Sequence, residues 1–267
     1  MIIRDVFWHF KSLGFKKTIM KIFLKTFYYF SLKRRNNKIY VKNLLKMESV
    51  EEKFTKIYDD HYWINDESRS GTGSSLSTTK NIQTILPKIF DKFFIKKIFD
   101  APCGDFNWMF HVLKNNKIDY LGADIVDNLI ILNKKKYENN KIKFSKLDIR
   151  FDKLPKSDMM ICRDCLFHFS YDDIYSFFNN FISSEIKYIL ITSHLNDVRK
   201  FNNRDIITAD FRLIDFFSEP FNFKKNYIYT FDDRENEIQN FKQMYLFTRE
   251  QIKDNLKKNP ETFRVND

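Results

Sequence analysis

Three aspartates in the middle of the chain follow short apolar runs. Asp100, Asp124 and Asp148 stand at or just after the ends of these runs. The carboxyl ends of neighbouring parallel strands meet at one edge of a sheet, so we expect these side chains to lie close together. A carboxylate there can accept hydrogen bonds from two ribose hydroxyls, and another can meet an adenine amine. The spacing therefore predicts a nucleoside-binding crevice.

The turn after Asp100 allows close approach of a ligand. Residues 101–106 read Ala-Pro-Cys-Gly-Asp-Phe and lead into a predicted helix. Gly104 lets the backbone approach a ligand, and the free N–H groups at the start of the helix favour a polar one. A nicotinamide dinucleotide site would require Gly-x-Gly-x-x-Gly, which this turn does not contain. The turn favours another nucleoside cofactor.

Two histidines are candidates for a general base. His168 follows the fourth apolar run, whose carboxyl end faces the reaction centre in such folds, and its imidazole titrates near neutral pH. His194, after the fifth run, is the alternative base, and Asp164 could orient an acceptor or share its proton. A purely structural role, in the core or as a cap, is the alternative interpretation for His168.

The cysteines favour neither a disulfide framework nor a metal site. Cys162 and Cys165 form one Cys-x-x-Cys pair, which supplies only two ligands, and Arg163 between them disfavours a cation. Cys103 is the third cysteine of the chain. We predict no metal, and buried thiols in a reducing compartment.

The elements that position these residues are predicted from apolar periodicity. Short apolar runs alternate with helical stretches such as Leu76–Phe90 and Asp172–Phe181, which predicts a parallel sheet with crossover helices. The final two strands have no convincing helix between them and are predicted to pair antiparallel. The predicted strands are Lys97–Asp100, Tyr120–Ile125, Ile142–Leu147, Met159–Cys162, Tyr188–Thr192, Asn226–Phe231 and Gln243–Thr248.

One Gly/Ser-rich loop precedes the first of these helices. Residues 68–75 read Ser-Arg-Ser-Gly-Thr-Gly-Ser-Ser. Its backbone amides, including that of Gly71, could bind a carboxylate or a phosphate with help from Arg69. The alternative interpretation is a flexible linker.

The positive charge of the chain is concentrated at its start. The net charge is +11, and residues 1–46 hold twelve Lys or Arg and one Asp, so the remainder is neutral overall. A basic surface along the main domain, as nucleic-acid binding would require, is not indicated. Between Thr18 and Phe30 an apolar stripe faces away from a cluster of lysines. This helix either packs on the main domain or lies on an anionic membrane surface.

We predict a basic helical arm over residues 1–60 and a second domain over residues 61–267. The sequence has no run of 18 apolar residues and no secretory leader, which predicts a cytoplasmic protein, with docking of the arm on the inner membrane face as an open alternative.

The order of acid, turn, glycine, acid and acid at successive strand ends resembles the class I methyltransferase family. The similarity extends over roughly residues 68–250, although Pro102 and Phe106 stand where the family has glycines. The resemblance implies a Rossmann-like α/β fold with a seven-stranded, mostly parallel sheet and S-adenosyl-L-methionine as cofactor. Asp100 and Gly104 would then lie under its methionine part, Asp124 would take the ribose, and Asp148 the adenine. The complete set implied for the cofactor is Arg69, Gly71, Asp100, Pro102, Gly104, Asp124, Ile125, Asp148, Ile149 and Arg163.

Several motifs resemble small methyltransferases encoded with bacterial surface-polysaccharide genes. These include Gly122-Ala-Asp-Ile-Val and Cys162-Arg-Asp-Cys-Leu-Phe-His. The Asn/Asp-Pro-Pro-aromatic signature of amino-group methylation is absent from the sequence, which favours base-assisted O-methylation. The implied acceptor is an anionic nucleotide-linked sugar, a phosphoramidate or a nascent polysaccharide, and Arg212 would pair with its charge. The alternatives are an RNA methyltransferase that uses the basic arm and a non-catalytic partner that binds the cofactor.

Overall fold

A seven-stranded sheet forms the centre of the protein in the computed structural model, which describes residues 39–196, 200–233 and 242–257. The strand order is β3-β2-β1-β4-β5-β7-β6. Strands β1 to β5 are parallel, and β7 runs antiparallel to both β5 and β6. The predicted parallel sheet with a terminal antiparallel pair is confirmed. The strands are β1 (Lys97–Asp100), β2 (Asp119–Asp124), β3 (Ile142–Lys146), β4 (Met159–Cys162), β5 (Tyr188–His194), β6 (Tyr229–Asp232) and β7 (Lys242–Thr248).

Six helices accompany these strands in the described residues from position 50 onward. They are α1 (Val50–Asp59), α2 (Lys80–Lys92), α3 (Asn107–Leu113), α4 (Asp127–Tyr137), α5 (Tyr171–Ser183) and α6 (Arg249–Lys257), with short 3₁₀ turns at Thr72–Ser74 and Leu166–His168. Helix α2 begins later than the predicted Leu76. The Ser75 hydroxyl accepts a hydrogen bond from Thr78 N at 3.3 Å, and such side-chain bonds compete with the helix.

The sheet is buried on both faces. Ile98 and Ile161 pack in one apolar layer with α2, α3 and α4, whereas Phe99 and Met160 pack in the opposite layer with α5 and α6. All four residues of β4 are buried. Continuous burial explains why the central strands read as uninterrupted apolar runs in the sequence.

The chain divides into two compact units, residues 1–47 and 48–267. Helix α1 therefore lies with the larger unit. Of the smaller unit the structure describes residues 39–47, with a helical turn at 39–44. The predicted amphipathic stretch Thr18–Phe30 lies outside the described residues, so its docking remains a prediction.

Phe106 adopts a left-handed backbone conformation at a position where class I methyltransferases often have glycine. Its φ is 61°, it precedes α3, and its side chain is 1% exposed. The ring lies 4.9 Å from that of Tyr120 and 5.1 Å from those of Tyr137 and Phe144, measured between centroids. Aromatic packing thus compensates for a conformation that a glycine would adopt without strain.

We expect Phe106→Gly to lower the free energy of unfolding by about 2 kcal/mol. Truncating a buried Phe costs roughly 3–5 kcal/mol, and relieving the left-handed conformation returns roughly 1–2 kcal/mol. Urea denaturation measures the difference. Phe106→Ala is the matched control, because it loses the ring but keeps the strain, and it should be less stable than Phe106→Gly by about 1 kcal/mol. Equal stability of the two variants would show that the left-handed backbone at position 106 is not strained.

Candidate functional site

A cleft opens at the carboxyl ends of the parallel strands, where the strand order reverses between β1 and β4. It encloses about 1040 Å³, open solvent at its mouth included. The reversal point is where ligands bind in open α/β sheets. Asp100, Asp124 and Asp148 all line this cleft, as the sequence predicts, while Val50, Phe54 and other residues of α1 form a further wall. Eight residues of the predicted cofactor set line it, namely Asp100, Pro102, Gly104, Asp124, Ile125, Asp148, Ile149 and Arg163.

Asp100 ends β1 and is buried beneath the cleft. The Tyr120 hydroxyl donates a hydrogen bond to its Oδ2 at 2.9 Å. Burial raises the pKa of Asp100 to about 7, although the Tyr120 hydrogen bond and the charge of Arg163 oppose the shift. A buried carboxyl group with this pKa becomes ionised more readily when a cation lies beside it.

Asp124 ends β2 and is held by backbone amides. Gly104 N donates to its Oδ2 at 3.2 Å, and Val126 N donates to its Oδ1 at 3.1 Å. Burial raises the pKa of Asp124 to about 6 against the effect of these hydrogen bonds. Each carboxylate oxygen has two lone pairs, so both can still accept a hydrogen bond from a ligand. The two oxygens of Asp124 could therefore accept hydrogen bonds from a pair of neighbouring hydroxyl groups.

Asp148 lies two residues beyond the end of β3, not at its end as predicted. Arg150 Nε and Nη2 donate to its two oxygens at 2.9 and 2.6 Å, and Arg150 Nη1 donates to Asp173 at 2.6 Å. The carboxylate thus already has a bidentate partner. A ligand amine at this position would share Asp148 with Arg150.

The Gly/Ser-rich loop lies against the turn after β1. Ser70 and Ser74 line the cleft, and Ser70 Oγ accepts a hydrogen bond from Asp105 N at 2.9 Å. Gly71 has a φ of 93°, and a Cβ there would lie 3.0 Å from Cβ of Trp63. The loop is therefore a packed part of the site, which excludes the flexible-linker interpretation.

The side chain of Arg69 points away from the cleft, contrary to expectation. Its guanidinium donates to the Tyr58 carbonyl at 3.2 Å and lies 4.5 Å from the centre of the Tyr58 ring. Neither Arg69 nor Gly71 is among the residues that line the cleft. The loop contributes serines where the sequence predicted an arginine and a glycine.

A buried cluster of four charged residues underlies one side of the cleft, and sequence reasoning missed two of them. Arg163 Nε lies 2.8 Å from Asp233 Oδ2, and Lys242 Nζ lies 3.3 Å from the same oxygen. Lys242 Nζ also donates to both oxygens of Asp164, at 2.9 and 2.7 Å. Asp233 directly follows β6 and Lys242 begins β7, so the antiparallel pairing of these two strands brings both residues to Arg163.

Asp164 is fixed as an anion by this cluster. Burial alone would raise its pKa, but the charges of Arg163 and Lys242 outweigh burial and hold the pKa well below its usual range. An aspartate that stays ionised is a poor proton acceptor. The expectation that Asp164 shares a proton is therefore not supported, whereas an orienting role through its charge fits the geometry.

His168 lies in the cleft wall beside an aromatic ring. Its Nδ1 lies 2.8 Å from the Asp210 carbonyl oxygen, which can only accept, so Nδ1 carries the proton and Nε2 is the basic atom. The ring centroid lies 5.4 Å from that of Trp63, another cleft residue. Burial lowers the pKa of His168. A neutral imidazole with a free basic nitrogen suits proton abstraction.

His194 and Arg212 do not line the cleft, although the sequence made both candidates. His194 is the last residue of β5, and its Nδ1 accepts a hydrogen bond from Ile214 N at 3.2 Å. Burial lowers the pKa of His194 to about 4. Arg212 is 2% exposed, donates to the Phe169 carbonyl and lies 5.2 Å from the Tyr171 ring centre. Both side chains are buried outside the cleft.

The described residues contain no group of three or more His, Cys, Asp or Glu side chains that could hold a metal ion. Within the same part of the chain, no helix combines the length and apolar character needed to cross a membrane. Cys103, Cys162 and Cys165 are free and buried.

Solved methyltransferase structures share this fold. No model of a protein family and no curated protein matches the sequence. Magnesium protoporphyrin IX methyltransferase from Synechocystis PCC 6803, solved with bound SAM, has a TM-score of 0.54 and 11% identity over 76% of this chain and 99% of that chain. The 1,6-didemethyltoxoflavin-N1-methyltransferase of Burkholderia thailandensis, solved with S-adenosylhomocysteine, has a TM-score of 0.52 and 11% identity over 74% and 86%. The chain has the Rossmann-like, seven-stranded methyltransferase fold.

Proposed function

We propose that the protein is an S-adenosylmethionine-dependent methyltransferase that O-methylates a sugar or phosphoramidate group in bacterial surface-polysaccharide biosynthesis. The observation that carries the proposal is a single cleft lined by Asp100, Asp124 and His168. The two solved structures named above add support, because both hold a form of this cofactor in the same fold. We place the reaction in the cytoplasm.

The residues of the cleft fit the proposed cofactor. Asp124 offers two oxygens with spare lone pairs to the ribose hydroxyls. Asp100 is a buried carboxyl group that a sulfonium and an ammonium would help to ionise. Arg163 lines the cleft, so its positive charge would attract the cofactor's carboxylate.

His168 would take the proton that the acceptor hydroxyl releases. When bound, the cofactor supplies an electrophilic methyl group on a positively charged sulfur. The residues that line the cleft would hold an acceptor oxygen about 3 Å from that methyl group. The hydroxyl proton moves to Nε2 of His168, whose Nδ1 proton is retained by the Asp210 carbonyl. Asp164, fixed as an anion, would stabilise the imidazolium that forms.

Replacing Asp124 tests the cofactor site directly. We expect calorimetry to detect S-adenosylmethionine binding by the full chain, and Asp124→Ala to weaken it about 100-fold. Two hydrogen bonds to a charged acceptor contribute about 3 kcal/mol together, and each 1.4 kcal/mol is a factor of about ten.

Asp119→Asn is the matched control, because Asp119 is an exposed aspartate at the opposite end of the same strand. It should leave the affinity unchanged. Absence of binding by the wild-type chain would refute the cofactor, and unchanged affinity in a folded Asp124→Ala variant would refute the ribose role.

Cofactor affinity should also depend on pH. The pKa of Asp100 lies near 7, above the usual 3.8, so the group is largely protonated below that pH. A cationic ligand favours the ionised form, so affinity should rise between about pH 6 and about pH 8 and be lost as the pH falls. Tyr120→Phe removes a hydrogen bond to the carboxylate, which should move the midpoint to higher pH. A flat profile from calorimetry at constant ionic strength would contradict this role of Asp100.

A further inference from the structure

One carboxylate fastens the segment Ser68–Ser70 to the turn after β1. Asp105 Oδ2 accepts a hydrogen bond from Arg69 N at 2.8 Å, and its Oδ1 accepts one from Ser68 Oγ at 3.0 Å. In return, Asp105 N donates to Ser70 Oγ at 2.9 Å. Three consecutive residues of the loop are thus bonded to a single residue of the turn. We call these three hydrogen bonds the Asp105 latch.

Gly104 leaves the room that the latch requires. A Cβ at this position would lie 2.4 Å from Ser70 Oγ, and the glycine has a φ of +53°. A side chain here would push the serine hydroxyl away from Asp105 N. The glycine that the sequence assigned to ligand approach therefore has a second purpose, which is contact with the loop.

The second half of the loop is held from the other side of the cleft. Arg163 Nη1 donates to the Gly73 carbonyl at 2.9 Å, and a Cβ at Gly73 would lie 2.9 Å from Asp164 Oδ2. Asn107 Nδ2 donates to the Ser74 carbonyl at 3.0 Å. Residues 68–74 therefore connect the end of β1 to the end of β4, the two strands between which the cleft opens.

The base of the loop is closed by Glu67. Its Oε1 accepts hydrogen bonds from Leu76 N at 2.7 Å and from Asn107 Nδ2 at 2.6 Å. These bonds do not involve Asp105, so the two ends of the loop stay together when the latch is removed. Loss of the latch should release residues 68–70 without unfolding the segment as a whole.

We infer that Asp105 is a positioning residue that holds the loop against a ligand in the cleft and slows its departure. Ser70 and Ser74 line the same cleft as Asp100 and Gly104, so the loop forms part of the wall beside a ligand held by those residues. The latch bonds are partly buried, and such bonds exchange with water at modest cost. The inference rests on the proposed function for the identity of the ligand, and the latch itself can be tested without one.

Trypsin reports on the latch directly, because Arg69 supplies a cleavage site inside it. We expect the Arg69–Ser70 bond of Asp105→Ala to be cut about 10-fold faster than that of the wild-type chain, as followed by mass spectrometry of the new amino terminus. Ser70→Ala, which removes one latch bond, should give an intermediate rate. Asp66→Ala is the matched control, because Asp66 is an exposed acid of the preceding residues. It should be cut at the wild-type rate.

Ligand release provides the second readout. S-adenosylmethionine should dissociate about 10-fold faster from Asp105→Ala than from wild type in stopped-flow measurements, whereas Asp66→Ala should match wild type. Urea denaturation of each variant separates local opening from global destabilisation. Cleavage and dissociation rates equal to those of wild type in a folded Asp105→Ala variant would overturn the inference. If that variant does not fold, wild-type rates for Ser70→Ala would overturn it instead. If the wild-type chain binds no S-adenosylmethionine, the proposed function fails, and the cleavage rates still decide the latch.

Discussion

His168→Gln is expected to lower methyl transfer about 1000-fold and to leave S-adenosylmethionine affinity within about twofold of wild type. General base catalysis contributes roughly 10²–10⁴-fold, and glutamine keeps a polar side chain of similar reach without a basic nitrogen. The effect should fall on the chemical step, because the hydrogen bonds at Asp124 do not involve His168. Single-turnover transfer of a labelled methyl group to a panel of nucleotide-linked sugars and polysaccharide fragments measures it.

His194→Gln is the comparison that decides between the two histidines. His194 is 3% exposed and bonded to the Ile214 backbone, so its replacement should alter stability more than turnover. Because burial lowers the pKa of His168, the base stays neutral, and the rate at saturating cofactor should be flat around neutral pH and fall only as acid protonates the ring. If His194→Gln lost transfer and His168→Gln retained it, the assignment of the base would be wrong.

Arg163→Met is expected to lower the free energy of unfolding by about 3–5 kcal/mol, the usual cost of removing one partner from a buried ion pair. The side chain of Asp233 is 0% exposed and lies 2.8 Å from Arg163 Nε. Without the guanidinium, the one cation within 4 Å of that carboxylate in the described part of the chain is Lys242, at 3.3 Å, in a site with little access to water. Urea denaturation without ligand measures the loss.

A double-mutant cycle isolates the interaction between the two partners. Arg163→Met combined with Asp233→Leu removes both charges, so the pair should be more stable than the sum of the two single changes predicts. Lys156→Met is the control, because its ion pair with Glu185 is exposed at both ends and should not affect the denaturation midpoint. Strict additivity of the double variant would mean that the charges do not interact.

The sheet was predictable because its signals are local. Lys97–Asp100 and Met159–Cys162 were predicted with their observed bounds, since each is a short apolar run whose neighbours interrupt it. The apolar side chain of Leu147 predicts that β3 reaches this residue, yet the strand ends at Lys146, the last residue paired with β2. Apolar periodicity identifies a buried strand, but it does not show at which residue the pairing with the neighbouring strand ends.

The aspartates of the site were predictable because a strand end dictates their position. Asp100 and Asp124 occupy the cleft because the chain enters it at the ends of β1 and β2. The predictions that Arg69 and Arg212 line the cleft were wrong, because a positive charge does not determine where a side chain points. Each guanidinium instead contacts an aromatic ring and a backbone carbonyl. The contact between Trp63 and His168 joins residues far apart in sequence, so no local sequence pattern predicts it.

The position of the last strand has a consequence for the order in which the protein assembles. Strand β7 lies between β5 and β6, so the sheet stays open at that place until residues 242–248 have been synthesised. Until then Arg163 and Asp164 lack the lysine that completes their charge cluster. A ribosome-bound chain that carries every cleft aspartate but not yet β7 therefore has an incomplete cleft wall, and the cleft is completed only after residues 242–248 have been synthesised.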